Sequence, residues 1–143
     1  MNQVYLFSTI CAFSALLLLF LLQRITNKRH LVSAEVALLD PLDLLIHPQP
    51  ANYCGASSHY GRIKCNGQIY LTRKRLVFHP YFGSTIALEL SAIISAELRK
   101  SFLGGLRLGS QVLVLTLANG IEIGFYCRDP ELWSQTLRES FPT

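Results

Sequence analysis

Apolar and polar positions change rhythm twice along this chain. Residues Val4 to Leu22, VYLFSTICAFSALLLLFLL, form a run of 19 positions with no charge and no proline. At 1.5 Å per residue a helix of that length spans roughly 28 Å, close to the hydrocarbon core of a bilayer, so the pattern predicts a transmembrane helix. From residue 59 onward the rhythm is that of strands. In GQIYLTRKRLVFHP (67–80), Ile69 and Leu71 alternate with Gln68, Tyr70 and Thr72, and Leu76 and Phe78 then alternate with Arg75, Val77 and His79. Pairing Leu71 with Leu76 and Ile69 with Phe78 puts all four on one face and leaves Thr72 to Arg75 as the turn. A second hairpin reads from QVLVLTLANGIEIGFYC (111–127). A two-residue Asn119-Gly120 turn would set Leu117 against Glu122. A three-residue Ala118-Asn119-Gly120 loop pairs Leu117 with Ile121, Leu115 with Ile123 and Leu113 with Phe125, and Gly120 supplies the left-handed residue.

Between the hairpins, TIALEL (85–90) and AIISAEL (92–98) predict two more strands, and FLGGLRLG, with Gly104, Gly105 and Gly109, predicts a mobile loop. The rhythm becomes helical after Asp129, an expected N-cap, followed by Pro130 at the first helical position and Glu131 at the positive end of the dipole. Trp133, Leu137 and Phe141 recur every four residues, with Leu132 and Thr136 beside them, as one apolar stripe. LVSAEVALL (31–39) either continues the membrane helix or makes a short one. Pro41, Pro48 and Pro50 mark 40–58 as irregular, and the folded domain is expected to begin near residue 50. The resulting division is an anchor with its flank (1–30, span about 4–22), a juxtamembrane connector (31–49) and one domain (50–143).

The other reading of the apolar run is a cleaved signal peptide, which calls for a basic start, a shorter run and a small-residue cleavage site. Met1-Asn2-Gln3 has no basic side chain and the run is long, which favours an uncleaved anchor. Three bases follow the run, Arg24, Lys28 and Arg29, and none precedes it. The positive-inside tendency then puts the N-terminus outside and the domain in the cytosol, at a plasma or inner membrane. Cysteine usage fits a reducing compartment: Cys11 lies in the run, and Cys54, Cys65 and Cys127 form no CxxC and leave an odd thiol. The four histidines do not fall at ligand spacing with them, so no metal and no cofactor is expected.

The net charge of +4 divides unevenly, with +3 on the first 30 residues. The remainder carries ten bases against nine acids, too balanced for a nucleic-acid binder. Within it, residues 59–86 hold Arg62, Lys64, Arg73, Lys74 and Arg75 and no acid. Catalytic constellations are absent from the sequence: there is no GxSxG, HExxH, Walker or GxGxxG pattern, and the acids are scattered.

The order of elements, with NGQIYLTRKRLVFHP, IALELSAIISAEL and LVLTLANGIEIGFY, resembles the GRAM domain of the pleckstrin-homology-like superfamily. The residues that carry the likeness are Gly67, Ile69, Tyr70, Leu71, Thr72, Arg75, Leu76 and Phe78, then Ile86, Leu88, Leu90, Ile93 and Ile94, then Gly120 and Phe125, over roughly residues 50–141. The resemblance implies a mainly β fold: a bent, PH-like β-sandwich or partial barrel of about seven strands, capped by the C-terminal helix, here with one N-terminal transmembrane helix. It also implies a non-catalytic binding module. Arg62, Lys64, Arg73, Lys74 and Arg75 are the candidates for contact with anionic lipid headgroups, with Arg24, Lys28 and Arg29 as the membrane flank. The alternative is a protein-binding adaptor, or an accessory subunit whose span packs against another membrane protein through Ser8, Cys11, Ala12 and Ala15. A tethered domain needs no lipid affinity to be recruited, which keeps both readings open.

Overall fold

The computed structural model describes residues 2–61, 63–106 and 109–141, leaving aside the side chains of 2–6 and 106. A single helix, α1 (Asn2–Ala37), runs through the apolar stretch and on to the first proline-rich turn. Of the two possibilities for 31–39, continuation is the one observed. At 36 residues α1 is about 54 Å long, more than a bilayer core requires. The segment Phe7–Ala37 is long and apolar enough to cross a membrane, and none of its most apolar window is buried in the fold.

Among the described residues nine strands and a second α-helix follow: β1 (Leu44–Ala56), β2 (Cys65–Thr72), β3 (Arg75–Pro80), β4 (Ile86–Glu89), β5 (Ile93–Arg99), β6 (Ser101–Phe102), β7 (Gly105–Leu106), β8 (Val112–Leu117), β9 (Glu122–Cys127) and α2 (Pro130–Ser140). Seven of the strands form one antiparallel sheet in the order β4-β3-β2-β1-β9-β8-β5, and β6 pairs with β7. β1 joins the two halves. It bends at register shifts between Leu44 and Gln49 on its β2 side and between Tyr53 and Gly55 on its β9 side, which curls the sheet around its core. The mainly β architecture with one closing helix is the one expected.

Both hairpins take the expected register: Leu71 faces Leu76 and Ile69 faces Phe78, while Leu115 faces Ile123 and Leu113 faces Phe125. These residues are fully buried and surround the aromatic cluster of Tyr53, Phe78 and Phe125, whose ring centroids lie 5.4 to 6.0 Å apart. α2 closes the open side with Trp133 and Leu137, both without exposure, and Phe141 beside them.

Four expectations are corrected. Residues 44–56 are a strand and not a connector, and the prolines are tolerated for a local reason. Pro48 and Pro50 precede Ala51, where pairing with β9 begins, so that part of β1 is bonded on one side only. The glycine-rich loop holds a small hairpin in its described part, turned by Leu103 (φ 47°) and Gly104 (φ 74°). Two successive positive φ angles suit the twist of a two-residue β-turn. Asp129 stands at the start of α2 but with φ 51°, and its side chain makes no capping bond. On α2 it is Ser134, not Leu132 or Thr136, that completes the buried stripe, with Leu132 half-exposed.

Candidate functional site

The outward side of the β2–β3 hairpin is also apolar. Tyr70 and Val77 alternate with the core residues, face away from the barrel, and are nevertheless 0% and 2% exposed. What covers them is the C-terminal third of α1. Val32 packs directly against both, with Val36, Leu39 and Leu44 at the margin. Polar groups fix the alignment. The Tyr70 hydroxyl donates to Glu35 Oε1 at 2.8 Å, and His79 Nε2 lies 2.9 Å from Glu35 Oε2 with its N–H directed off the line between them. The other ring nitrogen of His79 meets the Thr85 hydroxyl at 2.9 Å. Burial lowers the His79 pKa, Glu35 opposes that shift, and Lys28 and Arg75 add to it. Burial and the bond to Glu35 both raise the Tyr70 phenol.

The contacts continue toward the apolar run. Arg29 stacks over the Tyr81 ring at 5.9 Å and its Nε donates to the Tyr81 hydroxyl at 3.5 Å, which also accepts from Gln68 Nε2 at 3.0 Å. One turn and a half earlier, Arg24 lies over Phe82, 5.8 Å from the ring centroid. Helix and hairpin therefore run in a fixed sense. Position 24 meets 82, 29 meets 81, 32 meets 70 and 77, and the helix end meets Leu44.

This order divides the bases predicted as one site. Lys64 precedes β2 at the end where β3 leaves toward Phe82, and its side chain turns to Gly105, lining a separate pocket with Cys54 and Tyr126. Arg73 and Lys74 form the turn at the other end, separated from Lys64 by the length of β2, about 24 Å of strand. Arg62 lies outside the described residues. The near end carries Arg24, Lys28 and Arg29 from α1, with Lys64 at its margin, and one acid, Glu122, adjoins it through backbone bonds with Ser57 while its side chain is paired with Arg99. The far end is balanced. Arg73 donates from Nε to the Leu42 carbonyl at 2.8 Å and from its backbone N–H to Asp43 O at 2.8 Å, and Arg75 pairs across the sheet with Glu89. Thr72 Oγ1 accepts from the backbone of Lys74 and Arg75 and holds the turn. Arg73 and Lys74 are exposed and Arg75 is half-buried.

Elsewhere the chemistry is that of a scaffold. Arg99 bridges Glu97 and Glu122 at 3.0 and 2.8 Å, an exposed network. Cys54, Cys65 and Cys127 form no disulfide, and burial pushes the Cys127 thiol up to about 12, so it stays protonated at neutral pH. Among the described residues no cluster of three His, Cys, Asp or Glu side chains could hold a metal. Reading the sequence missed Glu35, Tyr81 and Phe82. The available signal was the apolar character of Tyr70 and Val77, because a strand apolar on both faces needs cover on both.

No family model and no curated protein matches this sequence. Solved structures similar to the chain include the pleckstrin homology domain of USP37, at 20% identity over 69% of this chain and 95% of that one, with a TM-score of 0.48. The N-terminal PH domain of Vps36 is similar at 21% identity over 68% and 76%, with a TM-score of 0.47. A C-terminal domain from Leishmania infantum is similar at 12% identity over 68% and 84%, with a TM-score of 0.45.

Proposed function

We propose that this chain is a non-catalytic, membrane-anchored binding module of the PH-like or GRAM type, with an N-terminal span and a cytosolic domain (50–143 with its joining segment) that contacts anionic lipid headgroups. The observation that carries the reading is the unbroken passage of α1 from an exposed apolar run into a packed junction with the β2–β3 hairpin. A helix held on both sides of the interface fixes which end of the domain meets the headgroups. That end bears Arg24, Lys28 and Arg29, with Lys64 at its margin, and the acid that adjoins it, Glu122, is paired with Arg99. Near an anionic surface each base contributes on the order of 1 kcal/mol, and the effect fades within a Debye length of about 8 Å. Arg73, Lys74 and Arg75 lie beyond that reach if the end carrying Lys64 meets the headgroups, so the headgroup role belongs to the near end.

The far end supports a second reading alongside the first. Arg73 and Lys74 are exposed on the side away from the apolar run, where a protein partner would approach from the cytosol. An adaptor or accessory subunit would use both ends, the span within the bilayer and the tip outside it.

The test is made on the full chain in cells and in mild detergent. The anchor is expected to keep it in the membrane fraction through an alkaline carbonate wash, and a reporter after Thr143 is expected to act in the cytosol. Anionic lipid is expected to copurify, with the amount falling on K28Q and K64Q together but not on R73Q with K74Q. Release by carbonate would remove the anchor. Equal lipid loss from both pairs, or loss only from the tip pair, would remove the headgroup assignment.

A further inference from the structure

The apolar surface that α1 leaves bare extends farther than a bilayer can cover. Leu31 is 63% exposed and Leu38 89%. They stand 9 and 16 residues past Leu22, where the apolar run ends. That is about 14 and 24 Å along the axis, whereas the headgroup layer adds only about 5–8 Å on each side. The barrel does not cover them either. Val32, Val36 and Leu39 turn to the β2–β3 hairpin. Leu31 and Leu38, seven residues apart with Ala34 between them, form a stripe roughly 120° around the helix from that contact. Leu38 belongs to the stripe because its N–H donates to Glu35 O at 3.2 Å and so continues the last turn. Two leucines held outward in water stay there at a cost unless something lies against them.

The spacing of the stripe identifies the cover. Leu38, Ala34, Leu31 and Asn27 step by four, three and four residues. The same steps carried into the apolar run reach Phe20 and Leu17, both more than half exposed. A period of 3.5 residues sustained over about three heptads is that of a helix lying along another helix, whereas contact with lipid requires no period. A helix that meets this stripe both inside and outside the bilayer must itself cross the membrane and continue beyond it as α1 does. A second copy meets that requirement, since anchoring gives every copy the same depth and direction and a raised local concentration. We propose that α1 is also a dimerisation helix. Two copies pair in parallel about a two-fold axis along the membrane normal, through Leu31, Ala34 and Leu38 outside the bilayer and Phe20 and Leu17 within it. The flanks agree with a parallel pair: Gln23 comes against Lys28 and His30 against Glu35, with no like-charge contact. Arg24, the one base on the stripe, is drawn aside over the Phe82 ring at 5.8 Å. Asn27 meets its own copy, the kind of polar contact that fixes register in such pairs. The pair rests on the anchored reading and adds a partner to it.

The experiment uses the purified full chain in phosphatidylcholine liposomes at a high lipid-to-protein ratio. The photocrosslinking residue benzoylphenylalanine is encoded in place of Leu38, Ala34 or Ser33, the last exposed on a different side of α1. Illumination is expected to give a species of twice the chain mass from positions 34 and 38 and none from position 33. L31Q with L38Q is expected to cut the product from position 34 at least about ten-fold, since each helix loses both leucines. Both side chains are exposed in the single chain, so these changes leave the contact of Val32 with the hairpin in place. Liposome-bound chain that gives no doubled species, or gives it equally from position 33, would overturn the pair and leave the anchor standing. Chain that does not float with the liposomes would overturn the anchored reading and the pair with it. In native membranes, a product from position 38 of another mass in place of the doubled one would assign the stripe to a different protein and overturn the second copy.

Discussion

Glu35 carries the junction because one carboxylate meets two groups from neighbouring strands, the Tyr70 hydroxyl at 2.8 Å and the His79 ring at 2.9 Å. Replacing Tyr70 by Phe removes the donor and leaves packing intact, so Y70F is expected to cost about 1 kcal/mol in equilibrium denaturation, the usual net worth of such a bond. His79 gives the junction an acid-sensitive edge. Its folded pKa is depressed by burial below the ordinary 6.5, so between those two values the unfolded chain binds the proton and the folded chain does not. Stability is therefore full above pH about 6.5 and declines as pH falls toward the folded pKa, with Glu35 moderating the loss and Lys28 and Arg75 adding to it. Melting temperature between pH 7 and 5 is expected to drop more steeply in the parent than in H79Q. Gly67 is fixed by close approach: a Cβ there would stand 2.2 Å from the His79 carbonyl oxygen and 2.8 Å from Pro80 Cα, both backbone. G67A is expected to cost about 3 kcal/mol or to prevent folding, because the β2–β3 pair must part to admit one methyl. Glycine at position 67 thus has a steric reason in this chain.

The elements differ in how openly the sequence announces them. Leu71 against Leu76 and Leu115 against Ile123 were readable because opposed residues share a face and a one-residue slip would expose the whole set. β1 was hidden by Pro48 and Pro50, whose usual meaning fails where a strand is paired on one side only. The junction was hidden for another reason. Val32, Glu35, Val36 and Leu39 continue an apolar helix, and nothing local separates a residue facing lipid from one facing a strand. The basic block was legible as composition and its layout was not, since Lys64 and Arg73 flank opposite ends of β2. The junction itself can be broken at one position. Val32 is 2% exposed, and V32D forfeits roughly 2 kcal/mol of burial, which opens the junction about 30-fold. Trypsin cleavage after Lys28 and Arg29 in detergent-solubilised chain is expected to accelerate by a comparable factor, while α2 and the barrel stay protected.

At the scale of the molecule, the parts form a lever: an apolar helix, a stiff junction about two turns long, and a barrel whose two ends differ in character. The near end is basic and apolar, and the far end is polar and charge-balanced. On the anchored reading proposed above, packing of α1 on the hairpin would join that asymmetry to the membrane normal, so the proposal stands on orientation more than on any single contact. Energy transfer measures it directly. A donor dye is placed through an encoded amino acid at Ser84 or at Lys74 of the full chain in liposomes whose outer headgroups carry the acceptor. The two sites are separated by the length of β3 and its loop, about 20 Å. The expected result is strong transfer from position 84 and a donor at position 74 roughly 20 Å farther from the headgroup plane. Transfer from position 74 equal to or stronger than that from position 84 would contradict the orientation, and with it the assignment of the near end to the membrane.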